Sequence, residues 1–366
     1  MATAMKPRLI IILSILLFAV KSIAGDGKFN LDSQYNQGTL RLEIDNDIIW
    51  NRDSNFTNGW SVQYHTVRYD TWDEAVAPRC CKWIGKHVPT LGDQDSIVRF
   101  GQGVGQMMIT PNDITNPDPP DGDLPYAGSL TYTLNWQSFN RQTARTFQIT
   151  MGLLGEASYA GDVQKFLHNS WGWGEDPKGW DTQRETEPIV NLAYQHLFRL
   201  AQKGTYTNDW AGHIFFGPTA VLGNLMTSIE AGIGFRVGWN MQEGFNSFQA
   251  PPGVGIFQAA HIPKPATASP HGAELVVGGR AMGLLYSVIY DGSLITGDNR
   301  TVERENFVFS GLLGLNYHYY DFFSLRLAVI RTSDILVEER LPPPRPGQKK
   351  TDTDNSFGTL MIDFHF

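Results

Sequence analysis

Beyond residue 38 the chain is written in period two. Residues 38–49 read GTLRLEIDNDII, so Leu40, Leu42 and Ile44 alternate with Arg41, Glu43 and Asp45. In residues 56–69, Trp60, Val62, Tyr64 and Thr66 fall opposite Ser61, Gln63 and His65. Residues 187–200 set Val190, Leu192, Tyr194 and Phe198 against Asn191, Gln195 and Arg199. Residues 303–320 and 321–333 alternate around a turn expected at Tyr320-Asp321. Successive side chains of a strand point to opposite faces, so each segment presents one apolar and one polar face. Strands are expected near 38–49, 56–69, 96–108, 128–139, 143–155, 187–200, 208–223, 226–240, 272–290, 303–320, 321–333 and 355–366.

The last of these separates a soluble sandwich from a membrane barrel. It reads NSFGTLMIDFHF, with Leu360, Ile362, Phe364 and Phe366 on one face and Thr359, Asp363 and His365 on the other. An alternating strand closing on an aromatic resembles the assembly signal of Gram-negative outer-membrane barrels, read by the barrel assembly machinery. About twelve strands, an even number, fit an antiparallel up-and-down barrel whose apolar face meets lipid and whose polar face lines the lumen. Both chain ends then lie in the periplasm. Connections 50–55, 109–127, 156–186, 224–225, 291–302 and 334–354 face outward from the cell. Connection 241–271 falls on the periplasmic side, although it is too long for the short turns expected there.

Composition narrows the classes further. The chain has 366 residues, and its mean hydropathy of −0.25 excludes a bundle of membrane-spanning helices. Its 21 Phe, 13 Tyr and 10 Trp exclude disorder. A formal charge of −8 argues against nucleic-acid binding. Lys6 and Arg8, the apolar run Leu9 to Val20 and the small residues of Ser22-Ile23-Ala24 read as a signal peptide over 1–24. Residues 25–366 are then one transmembrane barrel domain. Cys80 and Cys81 are adjacent, so no structural disulfide is expected.

Three segments break the alternation, all at the expected extracellular mouth. They are Asp45-Asn46-Asp47, Asn55-Phe56-Thr57-Asn58-Gly59 and the connection 156–186. In the last, Ala160, Val163, Phe166 and Leu167 have helical spacing, and Gln164 and His168 share a helix face. Trp171-Gly172-Trp173-Gly174-Glu175 follows, leading to Trp180 and Gln183. Each feature alone has an ordinary reading, as turn chemistry, a solvated histidine or a membrane-interface aromatic. Together they gather acceptor oxygens, a hydroxyl, an imidazole and a second carboxylate at one rim. Such a set supports ester hydrolysis by activated water, with His168 as general base. Asp47 and Glu175 are hard oxygen ligands suited to Ca²⁺, which polarises a scissile carbonyl. No G-x-S-x-G elbow and no H-E-x-x-H motif occurs. The run Gly101-Gln102-Gly103-Val104-Gly105 lies inside a strand and is no phosphate loop.

At these residues the sequence resembles the outer-membrane lipid A 3-O-deacylase family. The marks are Asn46-Asp47, Phe56-Thr57-Asn58-Gly59, Val163-Gln164 leading to His168, Glu175, Trp180 with Gln183, and Gly223-Asn224. The resemblance implies a twelve-stranded barrel in the outer-membrane bilayer, with its site at the extracellular face. It implies removal of the 3′-linked acyl chain of lipid A, the lipid anchor of lipopolysaccharide. By carry-over, His168 activates water, Asn46, Asp47, Thr57 and Glu175 complete the site, and Ca²⁺ stands at the oxyanion. The sequence departs from the family in loop 109–127, where Asn116 stands in place of a site lysine, and the stretch from His168 to Trp180 is one residue longer. Strict alternation puts Asp47 and Thr57 toward the lumen but Asn46 toward lipid, so a bulge or a site straddling the wall is required. The rival readings are a non-enzymatic pore or adhesin, and a phospholipase of the same fold.

Overall fold

A computed structural model describes residues 29–47, 55–93, 95–120, 122–171, 176–246, 256, 259–338 and 353–366; for Asn55 and residues 167–171 it describes the backbone alone. The expected signal segment lies outside these residues. Twelve strands close into one antiparallel barrel, each paired with its neighbours in sequence and the last paired with the first. They are β1 Thr39–Asn46, β2 Asn55–His65, β3 Ile97–Thr110, β4 Ala127–Phe139, β5 Thr143–Leu154, β6 Glu187–Gly204, β7 Trp210–Gly223, β8 Met226–Trp239, β9 His271–Ser287, β10 Phe307–Tyr319, β11 Phe323–Thr332 and β12 Phe357–His365. Among the described residues three α-helices decorate the connections: α1 Arg79–His87, α2 Ala160–Trp171 and α3 Val288–Asp291. No described helix is long and apolar enough to cross a membrane.

The alternation read from sequence sets the two faces of the wall. Leu42, Ile44, Val62, Val190, Leu192, Leu313, Leu315 and Leu327 are exposed on the outside. Beside Leu42, Ile44 and Val62, the residues Arg41, Glu43, Asp45, Ser61 and Gln63 are buried and polar. Arg41 grips Asp363 across the β1–β12 seam with two bonds of 2.6 and 2.8 Å. Glu43 accepts from Ser61 and Gln63, each at 2.7 Å, and Arg236 pairs with Glu274 at 2.5 Å. Charges held this far from water are tolerated because each is paired and hydrogen-bonded.

Both ends of the lumen are filled. At the rim opposite the chain ends, Phe56, Met107, Ile109, Leu284, Val308, Ile330 and Phe357 pack with Ile289, Tyr290, Val302, Ile335 and Leu336 from two connections. At the rim that carries the chain ends the long connection after β8 turns inward. Phe245, Ala260 and Ile262 pack on Ile97, Phe139, Ala144, Leu197 and Phe215 of the inner wall. The connection too long for a turn is thus a plug. Its backbone carbonyls are met by buried arginines: Arg68 Nε donates to His261 O at 2.8 Å, Arg99 to Ala259 O at 3.1 Å, and Arg236 to Gly244 O at 2.8 Å. A second connection at this rim, between β2 and β3, is also long and carries α1. β2 accordingly ends at His65 rather than continuing to residue 69, and Tyr69 keeps only an isolated bridge to Val98.

Candidate functional site

The site region lies on the outside of the wall, where the upper ends of β1–β4 meet the connection from β5 to β6. The run Met107-Met108-Ile109-Thr110 at the end of β3 is buried throughout. Alternate side chains point to opposite faces, so both faces of the wall are covered there. The inner cover is the luminal cluster around Met107 and Ile109. The outer cover is α2, which packs on β3 and β4. Met108, Ile114, Tyr126, Ala160 and Trp180 form the joint, with Val163 against it.

Small residues allow this close seating. A Cβ on Gly128 of β4 would run into Ala160 and Ser158, and one on Gly161 would meet the Trp180 ring at 2.8 Å. Polar contacts fix the lateral position. Gln106 donates to Ser158 O at 2.7 Å and accepts from Trp60 Nε1 at 2.9 Å. Trp180 Nε1 donates to the buried Gln164 Oε1 at 2.7 Å, and Tyr126 Oη donates to Ile114 O at 2.6 Å. The Trp180 and Tyr126 rings lie 5.0 Å apart. Gln183 donates to Trp180 O at 2.9 Å, closing the turn after the helix.

The bulge required by the alternation is present. The β2–β3 register shifts between Phe56 and Asn58, leaving Thr57 as the extra residue. Phe56 therefore joins the luminal cluster, and Thr57 leaves the lumen-facing series to which strict alternation assigned it. Its hydroxyl meets that of Thr110 at 2.6 Å, on the outward parity of β3. Asn46, also on outward parity, donates to Thr57 O at 3.0 Å. Asn46 and Thr57 thus stand together on the lipid side of the rim, and Asp47 follows directly, buried. On β1, Asp45 turns inward and accepts from Thr359 at 2.6 Å.

Of the other predicted residues, His168 lies on α2, one turn beyond Gln164; its backbone alone is described. Glu175 lies outside the described residues. Among the described residues no three His, Cys, Asp or Glu side chains converge as a metal would require. Asp47 is one of the described carboxylates at this rim, the residue type that suits a hard cation. Thr110, Gln106 and Tyr126 were not singled out from the sequence. The unbroken apolar run before Thr110 was the available signal, since a wall strand loses its alternation only where both faces are covered.

Two carboxyls in the outward connections depart from their ordinary range. Burial pushes Asp123 up to about 6, although the backbone N–H groups of Leu124 and Asn112 pull the other way. Burial also works to raise Asp298, but the guanidinium groups of Arg300 and Arg184 prevail and hold it well below the usual range. The Arg184–Asp298 pair, 3.1 Å apart, ties the α2-bearing connection to the one that carries α3.

Residues 9–341 match the family described as "Outer membrane protein LpxR". Among solved structures, LpxR from Salmonella typhimurium is similar with a TM-score of 0.68 and 15% identity, covering 90% of this chain and 100% of that one. The β domain of the Bordetella autotransporter BrkA aligns over 90% of this chain and 97% of its own, at 7% identity and a TM-score of 0.39. No curated protein sequence matches the chain.

Proposed function

The chain belongs to the LpxR outer-membrane protein family, and from that premise we propose that it is a lipid A 3-O-deacylase, an outer-membrane ester hydrolase that removes the 3′-linked acyl chain of lipid A. The observation that carries this reading is the seat of α2 on the lipid-facing side of the wall, beside the bulge that turns Thr57 outward. A site so placed is open to a substrate that never leaves the outer leaflet. Its acyl chains stay along the apolar wall while its ester linkages lie at the level of the rim.

In this mechanism His168 takes the proton from a water that attacks the ester carbonyl. The family resemblance gives it this role, and it lies one turn beyond Gln164 on the helix that packs against the wall. Asn46 and Thr57 supply the polar groups that orient the ester and the developing oxyanion, where pre-set hydrogen bonds lower the barrier. Asp47 and Glu175 are the residues that would hold Ca²⁺, which when bound polarises the carbonyl. The buried Gln164–Trp180 bond holds α2 one turn before His168.

The test is mass spectrometry of purified lipid A after incubation with the detergent-solubilised barrel. Loss of one acyl or acyloxyacyl chain is the expected product, and intact lipid A beside cleaved glycerophospholipid would establish the phospholipase reading instead. His168→Asn should lower kcat at least about a hundredfold, within the range a general base contributes. His65→Asn should cost far less, because His65 is buried in the lumen away from the rim. Activity should fall as pH drops through the imidazole range, since only neutral imidazole accepts the proton. Near wild-type turnover by His168→Asn would overturn the assignment. Chelation should abolish turnover and Ca²⁺ restore it; full activity in excess chelator would remove the metal from the proposal.

A further inference from the structure

The periplasmic connection that carries α1 does not hang below the barrel. It folds up against the outside of the wall. Trp72, Ala75, Cys81 and Leu91 pack on Val98, Phe100 and Trp136, with Ile84 and Val88 against them and Leu134, Phe147 and Ile149 completing the wall side. Those wall residues share the outward parity of exposed Val104, Tyr132 and Met151 on the same strands. Trp136 Nε1 donates to Cys81 O at 2.8 Å, Trp72 Nε1 to Leu91 O at 2.8 Å, and a Cβ on Gly85 would strike the Trp72 ring. This is a built, close-packed attachment. Its position places α1 where lipid would otherwise touch β3–β5.

Around the rest of this rim the outward aromatics form an open belt. Tyr64 stacks on exposed Phe366 with ring centroids 6.1 Å apart, and Phe322, Tyr317 and Trp210 are exposed. In the β3–β5 sector the register aligns Phe100 with Trp136 and Trp136 with Phe147. There the row is covered, with Trp136 fully buried. The aromatic exposed outside it is Trp83 of α1, 60% accessible and stacked on His87 at 4.4 Å. The helix sequence RCCKWIGKH carries Arg79, Lys82 and Lys86 and no acid. Asp73, just upstream, pairs with Lys86 and accepts from Lys82 through its backbone carbonyl. Arg79 is exposed. Tryptophan and long basic side chains are the residues that settle at a membrane–water boundary, the ring at headgroup depth and the cation reaching phosphate.

We propose that α1 is an interfacial helix seated in the headgroup layer of the periplasmic leaflet. Trp83 replaces the covered Trp136 in the aromatic belt, and Arg79, Lys82 and Lys86 meet phospholipid phosphates. The connection then anchors the barrel at the depth opposite α2, on a face that shares β3 and β4 with it.

The test uses the full-length barrel in phosphatidylethanolamine–phosphatidylglycerol liposomes containing brominated phospholipid. The difference in emission between wild type and Trp83→Phe isolates residue 83, and heat-modifiable migration confirms that both are folded. The expected result is quenching by bromines near the headgroup, weaker quenching by bromines near the chain end, and protection from aqueous acrylamide. Quenching by acrylamide with none by either brominated lipid would overturn the proposal. In Arg79→Gln/Lys82→Gln/Lys86→Gln, lipid quenching of Trp83 should fall at least twofold. Unchanged quenching would overturn the role of the three cations.

Discussion

Asp123 shows how one carboxyl sets a pH response in a loop that borders the site. Both its oxygens accept from the Asn112 N–H and one accepts from the Leu124 N–H, so it pins the connection from β3 to β4. Burial lifts it to about 6, so between the ordinary carboxylate range and pH 6 the folded state binds a proton that the unfolded state has lost. Stability therefore falls as pH rises through this window and is level above it. Hydrogen exchange in 111–126, corrected for intrinsic rate, should be slower at pH 5 than at pH 7. Asp123→Asn keeps one acceptor and should abolish that difference. Asp298 has the opposite sign. Its depressed carboxyl contributes stability that is present above the ordinary carboxylate range and is lost in stronger acid. Neither shift was legible in the sequence, because both depend on which backbone groups and arginines the loops bring to the carboxyl.

At the scale of elements, strand positions and α2 were readable because each repeats a single period over many residues. Ala160, Val163, Phe166 and Leu167 mark the helix that spans Ala160–Trp171. Two features were not placed. The alternation asked for a bulge or a wall-straddling site at the rim, but it could not say that Thr57 is the extra residue, because only the β3 register shows that. α1 is nine residues long, so its apolar stripe of Cys81, Ile84 and Val88 runs for only two turns, a short signal between two strands. The joint between α2 and the wall is where an element-scale substitution is most informative. Gly128→Leu places a branched side chain where Ala160 and Ser158 now lie. β4 is held by full ladders on both sides, so α2 should yield rather than the strand. The barrel should keep its heat-modifiable migration, proteolysis within 155–186 should accelerate, and deacylation should fall at least tenfold. Retained activity with a protected loop would show that the seat of α2 does not position the site.

The whole molecule is a barrel whose interior carries structure rather than passage. Alternation predicted a polar lumen, and the ion pairs of Arg41 with Asp363 and Arg236 with Glu274 bear this out. It did not predict that residues after β8 return into that lumen, because a segment rich in Pro, Gly and Ala has no period to declare its burial. The plug is held chiefly through its backbone. Arg68, Arg99 and Arg236 donate to carbonyls of His261, Ala259 and Gly244, and Arg326 reaches Asn246 at 2.7 Å. With apolar clusters at both ends, the purified protein should be silent in planar bilayers under conditions where open barrels conduct. Arg68→Ala/Arg99→Ala removes two anchors and leaves their carbonyl acceptors buried, each lost bond costing about 1–3 kcal/mol. That variant should show brief, flickering conductance as the plug loosens, while deacylation at the outer wall continues near its wild-type rate. Steady large conductance by the unmodified chain would return the pore reading to first place. Loss of activity in the double variant, with the barrel folded, would show that lumen and wall are coupled.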